Sequence, residues 1–213
     1  MMKILSKMRA ASIRRNIEAV IGPFVGRVRF VDNAEWLGEA RLIDFMRSVG
    51  SHFTVARMLA MESVSARLEA GHPLTMLEFS YMMLQAADFL ELSRRHGCVL
   101  QMGGSDQWGN IVNGIELARR SDGRRLFGLT TPLLANAAGE KMGKTAGGAV
   151  WLSADRLPPS GFWQFWRNVD DADVGRFLAL FTDLPMDRVR EIAAGTGEAL
   201  NGAKAALADA VTT

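Results

Sequence analysis

The sequence predicts an α/β fold, a parallel sheet with flanking helices, followed by a small α-helical domain. Strand-like and helix-like runs alternate up to about residue 134, and strands separated by helical segments point to parallel pairing. Beyond Val150 no strand signal remains, and the chain reads as short helices. Between them, the apolar run Cys98-Val99-Leu100-Gln101-Met102 enters the octet Gly103-Gly104-Ser105-Asp106-Gln107-Trp108-Gly109-Asn110, and a helical run follows it. That order of strand, glycine turn and helix brings backbone N–H groups and a helix N-terminus up to a phosphate or ribose. The α/β part therefore spans 1–150, with 51–76 as a connecting insertion, and the helical part spans 151–213.

The elements follow in order. Arg27-Val28-Arg29-Phe30-Val31 has strand character and ends at the turn-formers Asp32-Asn33. Glu39–Val49 is helical. Residues 51–76 are mixed and polar, broken by Gly71 and Pro73. Leu77–His96 is a long helix stopped by Gly97, the usual C-terminal glycine. A strand at 98–102, a helix from Gln107 to Arg120 and a strand from Leu126 to Leu134 come next. Phe162–Asn168, Val174–Phe181 and Met186–Ala194 are short helices, and an alanine-rich helix runs to the end.

Composition sets outer bounds. The 213 residues are 48% hydrophobic and 23% charged, an ordinary globular balance. No apolar stretch approaches the ~18 residues a membrane span needs. The net charge of +2 permits RNA contact but is too small to argue for it. The single cysteine, Cys98, excludes an intrachain disulfide and reads as a small core residue in a reducing, cytoplasmic setting. The basic, acid-poor start (Lys3, Lys7, Arg9, Arg14, Arg15) has the character of a mitochondrial leader. Because its apolar pattern runs smoothly to Pro23, the preferred reading is a surface helix packed on the domain.

Two further groups bear chemistry. At about 100° per residue, Tyr81, Gln85 and Asp88 fall at roughly 0°, 40° and −20° on a helical wheel, one narrow polar line. Apolar residues surround it, so the helix should be buried and the stripe should line an enclosed polar pocket. A carboxylate at its base would accept a hydroxyl or amine proton, and the phenol and amide would bind a second polar end. The loop Lys141-Met142-Gly143-Lys144-Thr145 sets two lysines three apart among glycines, suited to neutralising charge on a polyphosphate. It lacks the P-loop pattern. No residue is identified as a metal ligand.

Together these segments resemble the bacterial-type tyrosyl-tRNA synthetases, class I enzymes. The octet and the Tyr-x-x-x-Gln-x-x-Asp stripe bear the resemblance most specifically. It continues through Gly97-Cys98, Phe127-Gly128-Leu129-Thr130, the lysine loop and Phe162-Trp163-Gln164-Phe165-Trp166. The lysine loop looks like the Lys-Met-Ser-Lys-Ser signature, with Gly143 and Thr145 in place of the serines.

The resemblance implies the second half of a Rossmann-like sheet and the activity of a tyrosine-tRNA ligase. Such an enzyme activates L-tyrosine with ATP, Mg2+ entering with the nucleotide, and passes the tyrosyl group to tRNA(Tyr) as a homodimer. Asp88 would accept the tyrosine hydroxyl, and Tyr81 and Gln85 would hold the ammonium end. Asp106 and the backbone at Gly104 would hold the ribose, with Gln107 beside the reacting carboxyl and α-phosphate. Lys141, Lys144 and Thr145 would stabilise departing pyrophosphate.

The family's His-x-Gly-His signature and its terminal RNA-binding module are not found in this sequence. The chain therefore looks like the interior of a synthetase, begun at an internal Met1 and truncated in its helical domain. An apolar sheet face is expected to lie open where further strands should pack. Two functional classes follow. One is a tyrosine-tRNA ligase whose chain is inactive alone. The other is a truncated, non-catalytic relative that acts at most as a dimerising or tyrosine-binding module. A tryptophan-activating relative is a third option, since an indole would give Asp88 a different partner.

Overall fold

A computed structural model of the chain describes residues 2–137, 139, 142 and 150–212. The helices are α1 (Met2–Ile21), α2 (Ala34–Leu37), α3 (Leu42–Ser48), α4 (Val55–Leu59), α5 (Glu62–Glu69), α6 (Met76–His96), α7 (Trp108–Asp122), α8 (Pro159–Arg167), α9 (Val174–Phe181), α10 (Met186–Ala193) and α11 (Glu198–Thr212). The strands are β1 (Leu100–Gly104) and β2 (Phe127–Thr131), paired in parallel with Leu100 opposite Phe127 and Gly104 opposite Thr131. Two compact units result. The sheet unit is Val31–Leu133, and the helical unit joins Met1–Phe30 to Leu134–Thr213.

In the sheet unit α6 is the central element, and its ends are set by local chemistry. Thr75 and Glu78 form a reciprocal capping box, with Glu78 N–H on Thr75 Oγ1 at 3.2 Å and Thr75 N–H on the Glu78 carboxylate at 2.9 Å. Hydrogen bonds from Thr75 and then Arg67 hold the Glu78 carboxyl at about 2, well below its ordinary 4.5. At the other end Gly97 takes the left-handed conformation (φ 66°) that closes the helix. The Arg94 guanidinium reaches both oxygens of Asp122 at 2.7 Å, joining the last turns of α6 and α7. That fork holds the Asp122 carboxyl at about 2.

Along their length α6 and α7 approach closely because α7 carries Gly114. A Cβ there would lie 2.9 Å from Phe89 Cδ1. Phe89, Leu117 and Ala118 lie in the core that this contact creates.

The strands are displaced from their sequence-predicted bounds for definable reasons. Cys98 N–H bonds back to the Leu92 carbonyl at 3.3 Å, so Cys98 belongs to the helix closure and β1 begins at Leu100. Cys98 nonetheless packs against the core, as expected. β2 stops at Thr131 because Pro132 has no N–H to give the ladder.

The two faces of the sheet differ sharply. Gly128 lies beneath α7, where a Cβ would meet Ile111 Cγ2 at 2.5 Å. Leu100, Met102 (62% exposed), Phe127 and Leu129 are exposed on alternate positions. The open apolar face expected from the sequence is present.

Other expectations are corrected. Residues 27–31 form no strand: Gly22–Arg27 winds as a 3-10 helix and 28–32 have no regular structure. Alternating side chains make a strand only when a neighbour completes its ladder, and among the described residues only β1 and β2 pair. Asp32 does turn the chain, its carboxylate accepting Ala34 N–H at 2.9 Å to start the unforeseen α2. The 39–49 helix contracts to α3, and the 51–76 insertion contains the short helices α4 and α5. α1 is helical, but Ile13, Ile17 and Val20 are exposed rather than packed.

α8–α11 close around a compact apolar cluster. Trp166 meets Phe165, Phe177 and Phe181 edge-on at centroid distances of 5.5, 5.6 and 4.9 Å. Phe177, Leu178, Leu207 and Ala208 complete it and are almost wholly buried.

Candidate active site

The polar stripe lies on α6 as the wheel requires, but its surroundings change along the helix. Met76, Leu77 (72% exposed) and Tyr81 (58% exposed) stand at the surface, whereas Gln85 and Asp88 are half-buried. The burial expected of the helix is therefore realised only between Met82 and Ser93. Met82, Met83, Ala86, Ala87, Phe89 and Leu90 fill the core around the deeper stripe residues.

Asp88 is the most constrained of the three. Its Oδ1 accepts the Trp36 indole N–H at 2.7 Å and its Oδ2 accepts the Asn33 side-chain amide at 3.0 Å. Both donors come from the segment that opens and forms α2. A carboxylate held this way is fixed in rotation and keeps lone pairs for a further donor. The Arg95 guanidinium lies 5.3 Å from the centre of the Trp36 ring, which pins the indole from its other side. Burial of Glu91 works against its ionisation, but hydrogen bonds from Arg95 and Arg94 outweigh it and keep that carboxyl low. Trp36, Glu91 and Arg95 line a cleft of about 340 Å³.

Asn33 was read from the sequence only as a turn-former, and Trp36 was not singled out. A usable signal was there, since an indole N–H within an apolar neighbourhood needs an acceptor. Nothing in sequence spacing pairs residue 36 with residue 88, however.

The glycine turn places the second group at the junction of β1 and α7. Ser105–Gln107 is a single 3-10 turn that delivers the chain into α7. Gly104 is required there by close approach: a Cβ would lie 2.7 Å from Asp106 Oδ1 and 2.8 Å from Leu133 Cδ2. The Asp106 carboxylate thus folds back over the Gly104 backbone, and Asp106 itself is exposed. Gln107 is half-buried, its side-chain oxygen accepting the Asn110 amide at 3.3 Å. Asp106, Ser105, Trp108 and Asn110 line a cleft of about 840 Å³ together with Arg57 and Glu62. An acidic group with backbone N–H groups beside it suits a ribose hydroxyl pair. Lys141, Lys144 and Thr145 lie outside the described residues.

A family model of the class I tRNA synthetases (W and Y) matches residues 2–213. The chain belongs to that family. The tyrosine-tRNA ligase of Caulobacter vibrioides is 64% identical over 182 residues, covering 85% of this chain and 43% of that protein. The Xanthobacter autotrophicus tyrosine-tRNA ligase is 58% identical over 202 residues, covering 95% and 48%. The crystal structure of a C-terminally truncated Aspergillus nidulans mitochondrial tyrosyl-tRNA synthetase superposes with a TM-score of 0.71 at 27% identity, over 96% of this chain and 60% of that one.

The resemblance drawn from the octet, the stripe and the lysine loop is therefore borne out, and the α/β class of this synthetase chain with it. The chain spans about half the length of the curated relatives it matches. No helix among the described residues is long and apolar enough to cross a membrane.

Proposed function

We propose that this synthetase chain bears the tyrosine and ribose subsites of a tyrosine-tRNA ligase, an enzyme that forms tyrosyl-adenylate from L-tyrosine and ATP and transfers the tyrosyl group to tRNA(Tyr). The observation that carries the reading is the Asp88 carboxylate, half-buried on α6 and gripped by Trp36 and Asn33. A substrate hydroxyl would complete that arrangement. An analogue lacking the hydroxyl would leave the acid under-bonded, which is how such sites discriminate by roughly 10⁴–10⁵. In this reading Tyr81 and Gln85 take the ammonium group of tyrosine. Gly104 and Asp106 take the ribose, Gln107 lies at the reacting carboxyl, and Lys141, Lys144 and Thr145 neutralise pyrophosphate as it leaves.

The tyrosine carboxylate attacks the α-phosphate without an enzyme nucleophile, so positioning and charge supply the catalysis. ATP enters with Mg2+, residues 1–150 form the catalytic portion, and 151–213 form a helical domain. The working form is a cytoplasmic homodimer, the mitochondrial alternative resting on the basic helix α1. The 213-residue chain by itself is expected to turn over little, because Tyr81 stands open to solvent and one face of its sheet is uncovered.

Tyrosine-dependent ATP–pyrophosphate exchange by the purified chain tests this, with Asp88→Asn as control. Exchange that vanishes in the variant supports the subsite and shows the chain to be complete enough for activation. Exchange equal in both proteins would remove Asp88 from the reaction. If neither turns over, tyrosine should still protect the chain thermally more than phenylalanine does, and Asp88→Asn should erase the difference. Equal protection by both amino acids would sink the proposal and leave the non-catalytic reading.

A further inference from the structure

The polar line on α6 does not end at Asp88. At about 100° per residue Arg95 falls at roughly −40° on the wheel that puts Asp88 at roughly −20°. The two therefore share one face of α6, seven residues and about 10.5 Å apart along its axis. Trp36 spans that interval. Its indole N–H ends on Asp88 Oδ1 at 2.7 Å, and the Arg95 guanidinium lies over its ring, 5.3 Å from the centre. The indole itself is buried, with 9% of Trp36 exposed.

Arg95 is tethered on its far side. Its Nε donates to Glu91 Oε2 at 2.8 Å, while Glu91 Oε1 accepts the Arg94 guanidinium at 2.9 Å. Arg94 is also forked onto Asp122, so its charge is spent at the junction of α6 with α7. Of the two neighbouring arginines, it is Arg95 that faces the indole. A cation over an indole face resists rotation of the ring out of its seat. It also draws density from the ring, which makes the N–H a stronger donor. Both effects act on the atom that grips Asp88. Without them the carboxylate depends on the Asn33 amide at 3.0 Å for its orientation.

We propose that Arg95 is a positioning residue for Asp88, acting through Trp36 to fix the rotation of the carboxylate and so sharpen its choice of a hydroxyl-bearing substrate. The proposal rests on reading Asp88 as the acceptor of the substrate hydroxyl. Arg95 need not touch the substrate. A role confined to the fold would weaken tyrosine and phenylalanine alike, whereas a role through Asp88 weakens tyrosine only.

The test uses the whole chain as wild type, Arg95→Ala, Arg95→Lys, Trp36→Phe and the Arg95→Ala, Trp36→Phe double variant. Solvent exchange of the Trp36 indole N–H is followed by NMR, the signal being the one that Trp36→Phe removes. Dissociation constants of L-tyrosine and L-phenylalanine are measured by equilibrium dialysis. In Arg95→Ala the indole N–H should exchange about two- to fivefold faster, the scale of an exposed cation–π contact. Tyrosine should bind more weakly by a similar factor, and phenylalanine should be unmoved. Arg95→Lys keeps a cation and should recover most of both. Once Trp36→Phe has broken the tie, Arg95→Ala should change the ratio of the two constants no further. Unchanged indole exchange in Arg95→Ala, equal weakening of the two amino acids, or a further fall of the ratio in the double variant would overturn the proposal. Equal binding of both amino acids by the wild type would defeat the hydroxyl reading of Asp88, and faster exchange in Arg95→Ala would then uphold only the tie between Arg95 and the indole.

Discussion

Around Trp166 the aromatic rings of α8 and α9 meet one another edge-on, and α11 closes over them with Leu207 and Ala208 wholly buried. In the sheet unit Phe89, Ile111 and Leu117 of α6 and α7 are equally buried, yet Leu100, Met102, Phe127 and Leu129 of β1 and β2 are exposed on the open side of the sheet. A helical cluster can satisfy itself with neighbours close in sequence, because each helix bonds its own backbone and contributes one apolar stripe. A parallel sheet cannot, since each strand has two faces and two edges and parallel partners come from distant segments. The contrast explains why one unit has a closed core and the other a core on one side only.

Mutation should separate the two regions most strongly at their apolar positions. Phe177→Ala removes a fully buried ring from the aromatic cluster and should cost about 3–5 kcal/mol, measured by urea unfolding. Phe127→Ser, on the open face of β2, should stay within about 0.5 kcal/mol and reduce self-association in sedimentation runs. A loss at Phe127 as large as that at Phe177 would mean that the sheet face is covered in solution, and the comparison would fail.

How much of this was legible in the sequence follows the same division. α9 and α10 were read to within a residue because helix periodicity is local, and α6 was read well because Gly97 marks its end. The strand expected at 27–31 failed because pairing is a property of a neighbour, which alternating side chains do not reveal. The local geometry of the candidate site was legible where it lay within one turn or one helix, as at Gly104–Gln107 and Tyr81–Asp88. The bonds of Asn33 and Trp36 to Asp88 were invisible because they cross more than fifty residues of chain. Burial of the stripe was overread at Tyr81, since an apolar surround in sequence does not say whether a cover is present.

That long-range tie is the sheet unit's counterpart to the aromatic cluster, and it should register as a coupling. Trp36→Phe leaves Asp88 Oδ1 without its indole donor and should cost about 1–2 kcal/mol. Combined with Asp88→Ala in a double-mutant cycle, unfolding energies should show a coupling of about 1–2 kcal/mol between the two positions. Additive effects would show that the indole and the carboxylate do not depend on each other, and Asp88 would then need another source of orientation.

The smallest effect expected is one of pH, and it acts on the sheet unit through the two ends of α6. Glu78 and Asp122 have carboxyls held at about 2 in the folded chain, against ordinary values of 4.5 and 3.8. Between those values and 2 the unfolded chain binds more protons than the folded one, so stability must rise with pH across that window. The contribution is fully present above about pH 4.5 and is lost as the pH falls toward 2. Glu78 is open to solvent, so its share is modest and shrinks with salt. Melting followed by circular dichroism at pH 5 and pH 3 should show a lower Tm in acid, and Glu78→Gln should flatten that slope while lowering the pH 5 value. An unaltered slope in Glu78→Gln would mean that the capping box at Thr75 is not what links α6 to pH. The acid sensitivity would then have to come from the Arg94–Asp122 fork at the other end of the helix, which Asp122→Asn would reveal.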